Sequence, residues 1–122
     1  MAIELELNHL LTARERIRER IVETPLWESE RLGERIGAGL HLKHENLQLT
    51  GSFKIRGASH KLARLDAQVD KPAGVVAASA GNHAQAVVHA ARRFGLPVTV
   101  VMPRTAPITK VAACQALGAT IE

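Results

Sequence analysis

Cysteine and aromatic residues are scarce in this sequence. Its single cysteine, Cys114, excludes an internal disulfide framework and any metal site built from several cysteines. Because Cys114 lies in an apolar helical stretch, we expect a buried, unreactive thiol. Aromatic residues make up 2% of the chain and tyrosine is absent, whereas hydrophobic residues of all kinds make up 46%. The core must therefore consist of alanine, valine, leucine and isoleucine, which is typical of α/β layers.

Long apolar runs are also missing. No stretch approaches the length that a membrane span requires. Residues 1–6 carry early acids in place of the apolar run of a signal peptide. We therefore expect no membrane partner and a reducing, cytoplasmic setting.

The net charge of +4 raises the question of a nucleic-acid partner. However, arginine and glutamate alternate over residues 14–20, as on a solvated helix face. Few aromatic side chains are present that could stack on bases. We therefore predict no nucleic-acid partner and keep a basic nucleic-acid binder only as an alternative. We also predict no metal site, because His41 and His44 would point to opposite faces of a strand.

The spacing of apolar residues predicts alternating helices and strands over most of the chain. The predicted helices are residues 8–22, capped by Asn8 or Thr12, and residues 29–36, 54–65, 82–94 and 107–117. The predicted strands are residues 40–44, 74–78, 98–102 and 119–122. Since strand and helix alternate, we predict an α/β fold with a parallel sheet and crossover helices. The last strand begins at the final residues, so we expect the chain to end within its fold.

Lys54 lies in the first candidate site, where it follows a polar turn and opens a predicted helix. A lysine is a nucleophile toward an aldehyde only when its amine has lost a proton. The positive end of the helix dipole would favour that neutral form. The apolar neighbours Phe53 and Ile55 would favour it too, by excluding water from the amine. By spacing alone, an ordinary exposed lysine beside a helix cap is the commoner alternative.

Residues 79–85 form the second candidate site, because they follow a predicted strand and open a predicted helix. Such a junction offers free backbone amides that suit an anion, for example a substrate carboxylate. The amide of Asn82 could hold a phenolate-type oxygen. A plain helix cap formed by Ser79 or Asn82 is the alternative. The sequence contains no nucleotide-binding glycine pattern and no Walker loop.

Taken together, the segments Lys43–Ala58 and Ala78–Gln85 resemble the fold-type II pyridoxal-phosphate (PLP) enzymes. The most similar branch is the threonine dehydratase family, that is, the threonine/serine ammonia-lyases. Residues 24–26 fit that family too, as does the run Val100–Pro103 before a helix that carries Lys110. The resemblance extends from about residue 10 to the end of the chain.

The resemblance implies a role for each matching position. Lys54 matches the lysine that carries PLP as a Schiff base and later moves the α-proton, and Ser52 and Phe53 lead into it. Phe53 and Asn82 are implied to contact the cofactor, Asn82 at its ring hydroxyl. The loop that closes on the substrate carboxylate is matched by Ser79, Ala80, Gly81, Asn82 and His83.

The implied reaction is PLP-dependent dehydration and deamination of a small amino-acid substrate. L-threonine would give 2-oxobutanoate, a step of isoleucine biosynthesis, and L-serine would give pyruvate, each with ammonia. Serine racemases of this fold have a serine at the position of Ala80, where it delivers a proton to the opposite face, so alanine favours elimination. The alternatives are a 3-hydroxyaspartate ammonia-lyase, a serine racemase, and an inactive fragment or interaction module.

The resemblance also implies a domain division. Residues 1–52 would belong to the large PLP domain, and residues 53–122 would form an incomplete small α/β domain of a protein that is a homo-oligomer in its full-length form. The family's glycine-rich phosphate loop, and its small polar residue at the pyridine nitrogen, have no counterpart here. Gly33, Gly37 and Gly39 are too scattered to replace the loop. We therefore expect an apparently truncated chain that binds PLP poorly, or only nonspecifically, by itself.

Overall fold

The structure is a computed structural model that describes residues 5–122. The signal-peptide prediction concerns the first six residues, of which residues 1–4 lie outside the described part. The α-helices are α1 (Leu7–Ile17), α2 (Glu30–Ile36), α3 (Lys54–Asp66), α4 (Asn82–Arg92) and α5 (Ile108–Ala116). The strands are β1 (Leu26–Glu28), β2 (His41–Lys43), β3 (Val75–Ala78), β4 (Val98–Val101) and β5 (Thr120–Ile121). Short 3₁₀ helices cover Arg18–Arg20 and Glu45–Leu47.

A parallel sheet forms the second half of the described chain, as the sequence predicts. Its strand order is β3-β4-β5, and Val75 pairs with Val98 while Thr99 pairs with Thr120. Helix α4 connects β3 to β4, and α5 connects β4 to β5. The central strand β4 has a fully buried residue, Val100, because it has a neighbouring strand on both sides. The α/β prediction is therefore confirmed.

The prediction of a single parallel sheet was incomplete, because a second, antiparallel sheet joins β1 to β2. Trp27 pairs with Leu42, and Leu26 pairs with Lys43. Strand β1 was not predicted. It has three residues, all exposed, so it carries no alternation of apolar and polar positions that a periodicity argument could detect.

The first helix differs from its prediction at both ends. It starts at Leu7 after the cap residue Glu6, whose backbone N–H donates to Nδ1 of His9 at 3.3 Å. Both predicted caps, Asn8 and Thr12, therefore lie inside the helix. The α-helix ends at Ile17, and the chain tightens into a 3₁₀ turn before the bend that precedes Pro25.

The hydrophobic core lies between α3, α4, α5 and the parallel sheet. Small side chains line α4, so this helix packs closely on α3 and on the sheet. Cys114 of α5 is fully buried in the same core, and burial raises the pKa of its thiol. The buried thiol expected from the sequence is thus confirmed. Within residues 5–122, no helix combines the length and the apolar character needed to cross a membrane.

Candidate functional site

Lys54 is the first residue of α3, as predicted, and a tight turn leads into it. The N–H of Gly51 donates to the carbonyl of Gln48 at 2.8 Å, and Gly51 has a φ of +67°, which favours glycine. Phe53 is the residue before the helix, and Nζ of Lys54 lies 5.0 Å from the centroid of its ring. This distance is within the range of a cation–π contact.

Lys54 is exposed in the described chain, so the apolar neighbours do not shield it and the alternative of an exposed lysine describes it better. Ile55 is fully buried, but Phe53 is 59% exposed. Consecutive side chains on a helix point about 100° apart, so a buried neighbour does not bury the lysine. The amine of Lys54 is therefore accessible to a ligand, and nothing in the described residues excludes water from it.

Two hydroxyl groups beside the lysine retain unused hydrogen-bonding capacity. Within residues 5–122, Oγ of Ser52 and Oγ1 of Thr50 are buried and have no hydrogen-bond partner. Leaving such a group unsatisfied costs about 1–3 kcal/mol. From the sequence, Ser52 was predicted only to lead into Lys54, and the side chain of Thr50 was not predicted to take part. Both hydroxyls suit a polar ligand bound at this turn.

The second candidate loop lies between β3 and α4, where the sequence places it. Gly81 is the cap residue of α4, and its N–H donates to Oγ of Ser79 at 3.2 Å. Among residues 5–122 no side chain caps this helix, so the alternative of a plain cap by Ser79 or Asn82 is wrong. The first amides of α4 therefore remain free for an anion. Ser79, Ala80 and Gly81 are half-buried, and Asn82 and His83 are exposed.

A contact with α5 orients the amide of Asn82. Nζ of Lys110 donates to Oδ1 of Asn82 at 3.3 Å. Because the amide oxygen is engaged, the amide nitrogen of Asn82 stays available as a donor. From the sequence, Lys110 was only one of the residues that resemble the family, and no contact with Asn82 was predicted. Lys110 and Asn82 are 28 positions apart, so no local pattern could have revealed this bond.

Arg56, in the first turn of α3, forms an ion pair with Glu45. Nε and Nη2 of Arg56 donate to the two carboxylate oxygens of Glu45 at 2.8 and 2.7 Å. The hydroxyl of Thr24 donates to the same carboxylate at 2.5 Å. The hydrogen bonds from Arg56 lower the pKa of Glu45 from 4.5 to about 2, against an opposing effect of burial. Neither Arg56 nor Glu45 was predicted from the sequence as a site residue.

The two helix starts share one core. Ile55 directly follows Lys54, Ala84 lies two residues after Asn82, and both are fully buried in the same hydrophobic cluster. His83 lines a shallow, largely apolar groove between α3, β3 and α4. The loop at Asn82 follows the carboxyl end of a parallel strand, which is where open α/β sheets bind ligands. The described chain thus has the α/β fold of a class of proteins in which ligands bind at this sheet edge.

Comparison with known proteins identifies the family within that class. Residues 17–122 match the family described as pyridoxal-phosphate dependent enzyme. The chain therefore belongs to the family of pyridoxal-phosphate dependent enzymes, whose cofactor is pyridoxal 5'-phosphate. This finding confirms the resemblance seen in the sequence and the cofactor that it implies.

Two curated proteins illustrate the range of relatives. The chain is 47% identical over 117 residues, 96% of its length, to L-threonine ammonia-lyase of Thermotoga maritima, and covers 29% of that protein. It is also 47% identical over 112 residues, 92% of its length, to L-threo-3-hydroxyaspartate ammonia-lyase of a Pseudomonas species, and covers 35% of it.

Among solved structures, a pyridoxal 5'-phosphate-dependent aspartate racemase superposes with a TM-score of 0.90 and 36% identity, over 100% of this chain and 38% of that one. The chain spans about a third of the length of the curated relatives it matches.

Proposed function

We propose that this chain forms the lysine-bearing part of a PLP-dependent ammonia-lyase that acts on L-threonine or L-serine. The products would be 2-oxobutanoate or pyruvate, together with ammonia. The observation that carries the proposal is the accessible amine of Lys54 at the start of α3, in a chain 47% identical to an L-threonine ammonia-lyase. The presence of a 3-hydroxyaspartate ammonia-lyase at the same identity makes that substrate the nearest alternative.

The residues at the two helix starts fit the cofactor. PLP would supply an aldehyde that condenses with an amine and a ring that takes up negative charge. Lys54 offers the amine, and the unpartnered hydroxyls of Thr50 and Ser52 offer hydrogen bonds to polar groups. The free amide nitrogen of Asn82 suits a ring oxygen, and the exposed face of Phe53 offers an aromatic contact.

The chain's own residues also account for the proposed proton transfer and substrate binding. The amine of Lys54, once displaced by the substrate, would take the proton from the substrate's Cα. The uncapped amides after Gly81 would bind the substrate carboxylate, with Ser79, Ala80, Asn82 and His83 enclosing it. Alanine at position 80 has no proton to deliver to the opposite face of Cα. The site therefore favours elimination over racemisation.

Two further proposals follow from family membership. We propose that residues 1–52 belong to the large domain and residues 53–122 to the small domain of the complete enzyme. We also propose that the complete enzyme is a homo-oligomer.

A chimera tests the function directly. In it, residues 1–122 replace the matching part of the Thermotoga maritima enzyme, which supplies the remaining length of a relative. We expect the chimera to release 2-oxobutanoate from L-threonine, and Lys54→Ala to abolish this release. Lys71→Ala is the matched control, because Lys71 lies beyond the far end of α3 and pairs with Asp66. Turnover that persists in Lys54→Ala would contradict the proposal.

Racemisation is the second candidate, because the aspartate racemase superposes over the whole of this chain. The same chimera should produce no D-amino acid from L-serine or L-aspartate if Ala80 decides the outcome. Chiral chromatography of the products distinguishes the two reactions. A D-amino acid formed faster than the 2-oxo acid would favour the racemase.

A further inference from the structure

We propose that Arg56 and Glu45 are positioning residues for Lys54. Their ion pair closes the loop that contains the lysine, and so fixes the backbone from which the amine projects. This inference rests on the proposed function, since it concerns the lysine that would carry the cofactor. It adds two residues that neither the sequence motifs nor the family resemblance assigned a role.

The geometry of the pair is suited to fixing an orientation. Both donors of the guanidinium fork bind one carboxylate, at 2.8 and 2.7 Å, which restricts rotation of Arg56 as well as its distance from Glu45. The side chain of Arg56 is 31% exposed and that of Glu45 is 17% exposed, so water screens the pair only in part. By contrast, the pair between Arg14 and Glu23 is longer, at 3.6 Å, and both its side chains are mostly exposed.

The pair spans 11 positions, and Lys54 lies inside this closed loop. Closing a loop removes most of the backbone conformations that its residues could otherwise adopt. The turn at Gly51 restricts the loop further, through its N–H bond to Gln48. With the first turn of α3 held to Glu45 by Arg56, the backbone of Lys54 has few remaining alternatives.

The loop is also fastened to the segment that precedes β1. The side chain of Gln48 accepts from the N–H of Val22 at 2.8 Å and donates to its carbonyl at 2.7 Å. Thr24 donates to the carboxylate of Glu45, and Nζ of Lys43 donates to the carbonyl of Thr24, each at 2.5 Å. Glu45 is therefore held by the segment before β1, and Arg56 in turn holds the first turn of α3, which carries Lys54, against Glu45.

The test measures where PLP attaches in the chimera. After incubation with PLP and reduction with borohydride, peptide mass spectrometry gives the ratio of label on Lys54 to label on Lys61, an exposed lysine that none of the variants adds or releases from an ion pair. Arg56→Lys keeps the charge but loses the fork, and Glu45→Gln keeps the shape but loses the charge. We expect each variant to lower this ratio about tenfold, which corresponds to about 1.4 kcal/mol.

The control is Asp66→Asn, which breaks the 2.8 Å pair with Lys71 at the other end of α3. We expect it to leave the labelling ratio unchanged. Circular dichroism and thermal unfolding show whether each variant is folded. Should either variant fail to fold, Thr24→Val removes the hydroxyl that donates to the same carboxylate and accepts from Nη2 of Arg56 at 3.5 Å. We expect a roughly fivefold loss in the ratio from the loss of a bond worth about 1 kcal/mol.

Two results would overturn the inference. Folded variants with the labelling ratio of the unsubstituted chimera would show that the pair does not position Lys54. A fall in the ratio that Asp66→Asn reproduces would show that helix stability alone is responsible. If the unsubstituted chimera carries no label on Lys54, the proposed function fails first and this inference fails with it.

Discussion

Replacing Glu45 with glutamine should remove a stabilising interaction whose strength depends on pH. In the folded chain Arg56 and Thr24 hydrogen-bond the Glu45 carboxylate, and its pKa is about 2 rather than 4.5. A carboxyl group with a lowered folded-state pKa stabilises the fold above its unfolded-state pKa. That contribution is lost as the pH falls through the folded-state pKa. The contribution of Glu45 is therefore complete above about pH 5 and lost between about pH 5 and pH 2.

The shift also sets the size of the effect. One pKa unit corresponds to about 1.4 kcal/mol, so the change from 4.5 to about 2 limits the contribution of Glu45 to about 3 kcal/mol. Partial exposure of Arg56 allows some screening by water. We therefore expect Glu45→Gln to lower the free energy of unfolding by about 1–3 kcal/mol at pH 7.

Urea unfolding followed by circular dichroism, at pH 7, 5, 4 and 3, measures this difference. The gap between the parent chain and Glu45→Gln should shrink steadily below pH 5. Glu15→Gln is the control, because Glu15 lies 3.8 Å from Arg18 and both side chains are about three-quarters exposed. Its free energy of unfolding should stay within about 0.5 kcal/mol of the parent at each pH. A gap for Glu45→Gln that is as large at pH 3 as at pH 7 would refute the reasoning.

Three further predictions concern single sites. Lys110→Met should weaken PLP binding by the chimera several-fold, because it frees the exposed amide of Asn82 to rotate. Fluorescence titration measures the affinity, and thermal stability should change little. Equal affinity would contradict this prediction. Gly33→Ala should cost about 1–3 kcal/mol in urea unfolding, because its Cβ would lie 2.8 Å from the carbonyl oxygen of Ala38; an unchanged midpoint would contradict this. Cys114 should react with a thiol reagent only slowly until the chain unfolds, because burial raises its pKa; rapid reaction in the native state would contradict this.

The elements that the sequence predicted well are those with long periodic patterns. Strand β3 is a continuous apolar run, β4 is rich in β-branched residues, and α3 and α4 have a regular helical repeat, so the order and type of these elements were predicted correctly. Strand β1 was missed because its three exposed residues carry no such repeat. The start of α1 was misplaced because an imidazole at His9 accepts the N–H of Glu6, which is an uncommon use of histidine at a helix start.

The candidate site shows a similar division. The positions of Lys54 and Asn82 at two helix starts follow from local spacing, and their roles came from the family resemblance. The contacts that orient them did not follow from either source. Arg56 reaches Glu45 across 11 positions, and Lys110 reaches Asn82 across 28 positions, so only tertiary structure shows these bonds. The sequence left two alternatives for Lys54, a lysine shielded by its apolar neighbours and an ordinary exposed lysine, because it shows which neighbours are apolar but not where they point.

That accessibility leads to a prediction about the 122-residue chain by itself. A lysine that condenses selectively with an aldehyde needs surroundings that favour its neutral amine, such as an apolar pocket or a nearby cation. Lys54 is exposed in the described residues, and so is Lys61, whereas Lys71 is paired with Asp66. In the chain alone, apart from the contact with the ring of Phe53, no apolar pocket or nearby cation distinguishes Lys54 from Lys61, although the backbone of Lys54 is held in place.

We therefore expect PLP and borohydride to label Lys54 and Lys61 of the isolated chain to similar extents. In the chimera, where the remaining length of a relative surrounds the site, the label should concentrate on Lys54. The same peptide mass spectrometry measures both distributions at one pH and one PLP concentration, so the comparison isolates the effect of the added surroundings. Selective, stoichiometric labelling of Lys54 in the isolated chain would contradict this prediction, because the turn, the ion pair and the two buried hydroxyls would then suffice to make the amine reactive.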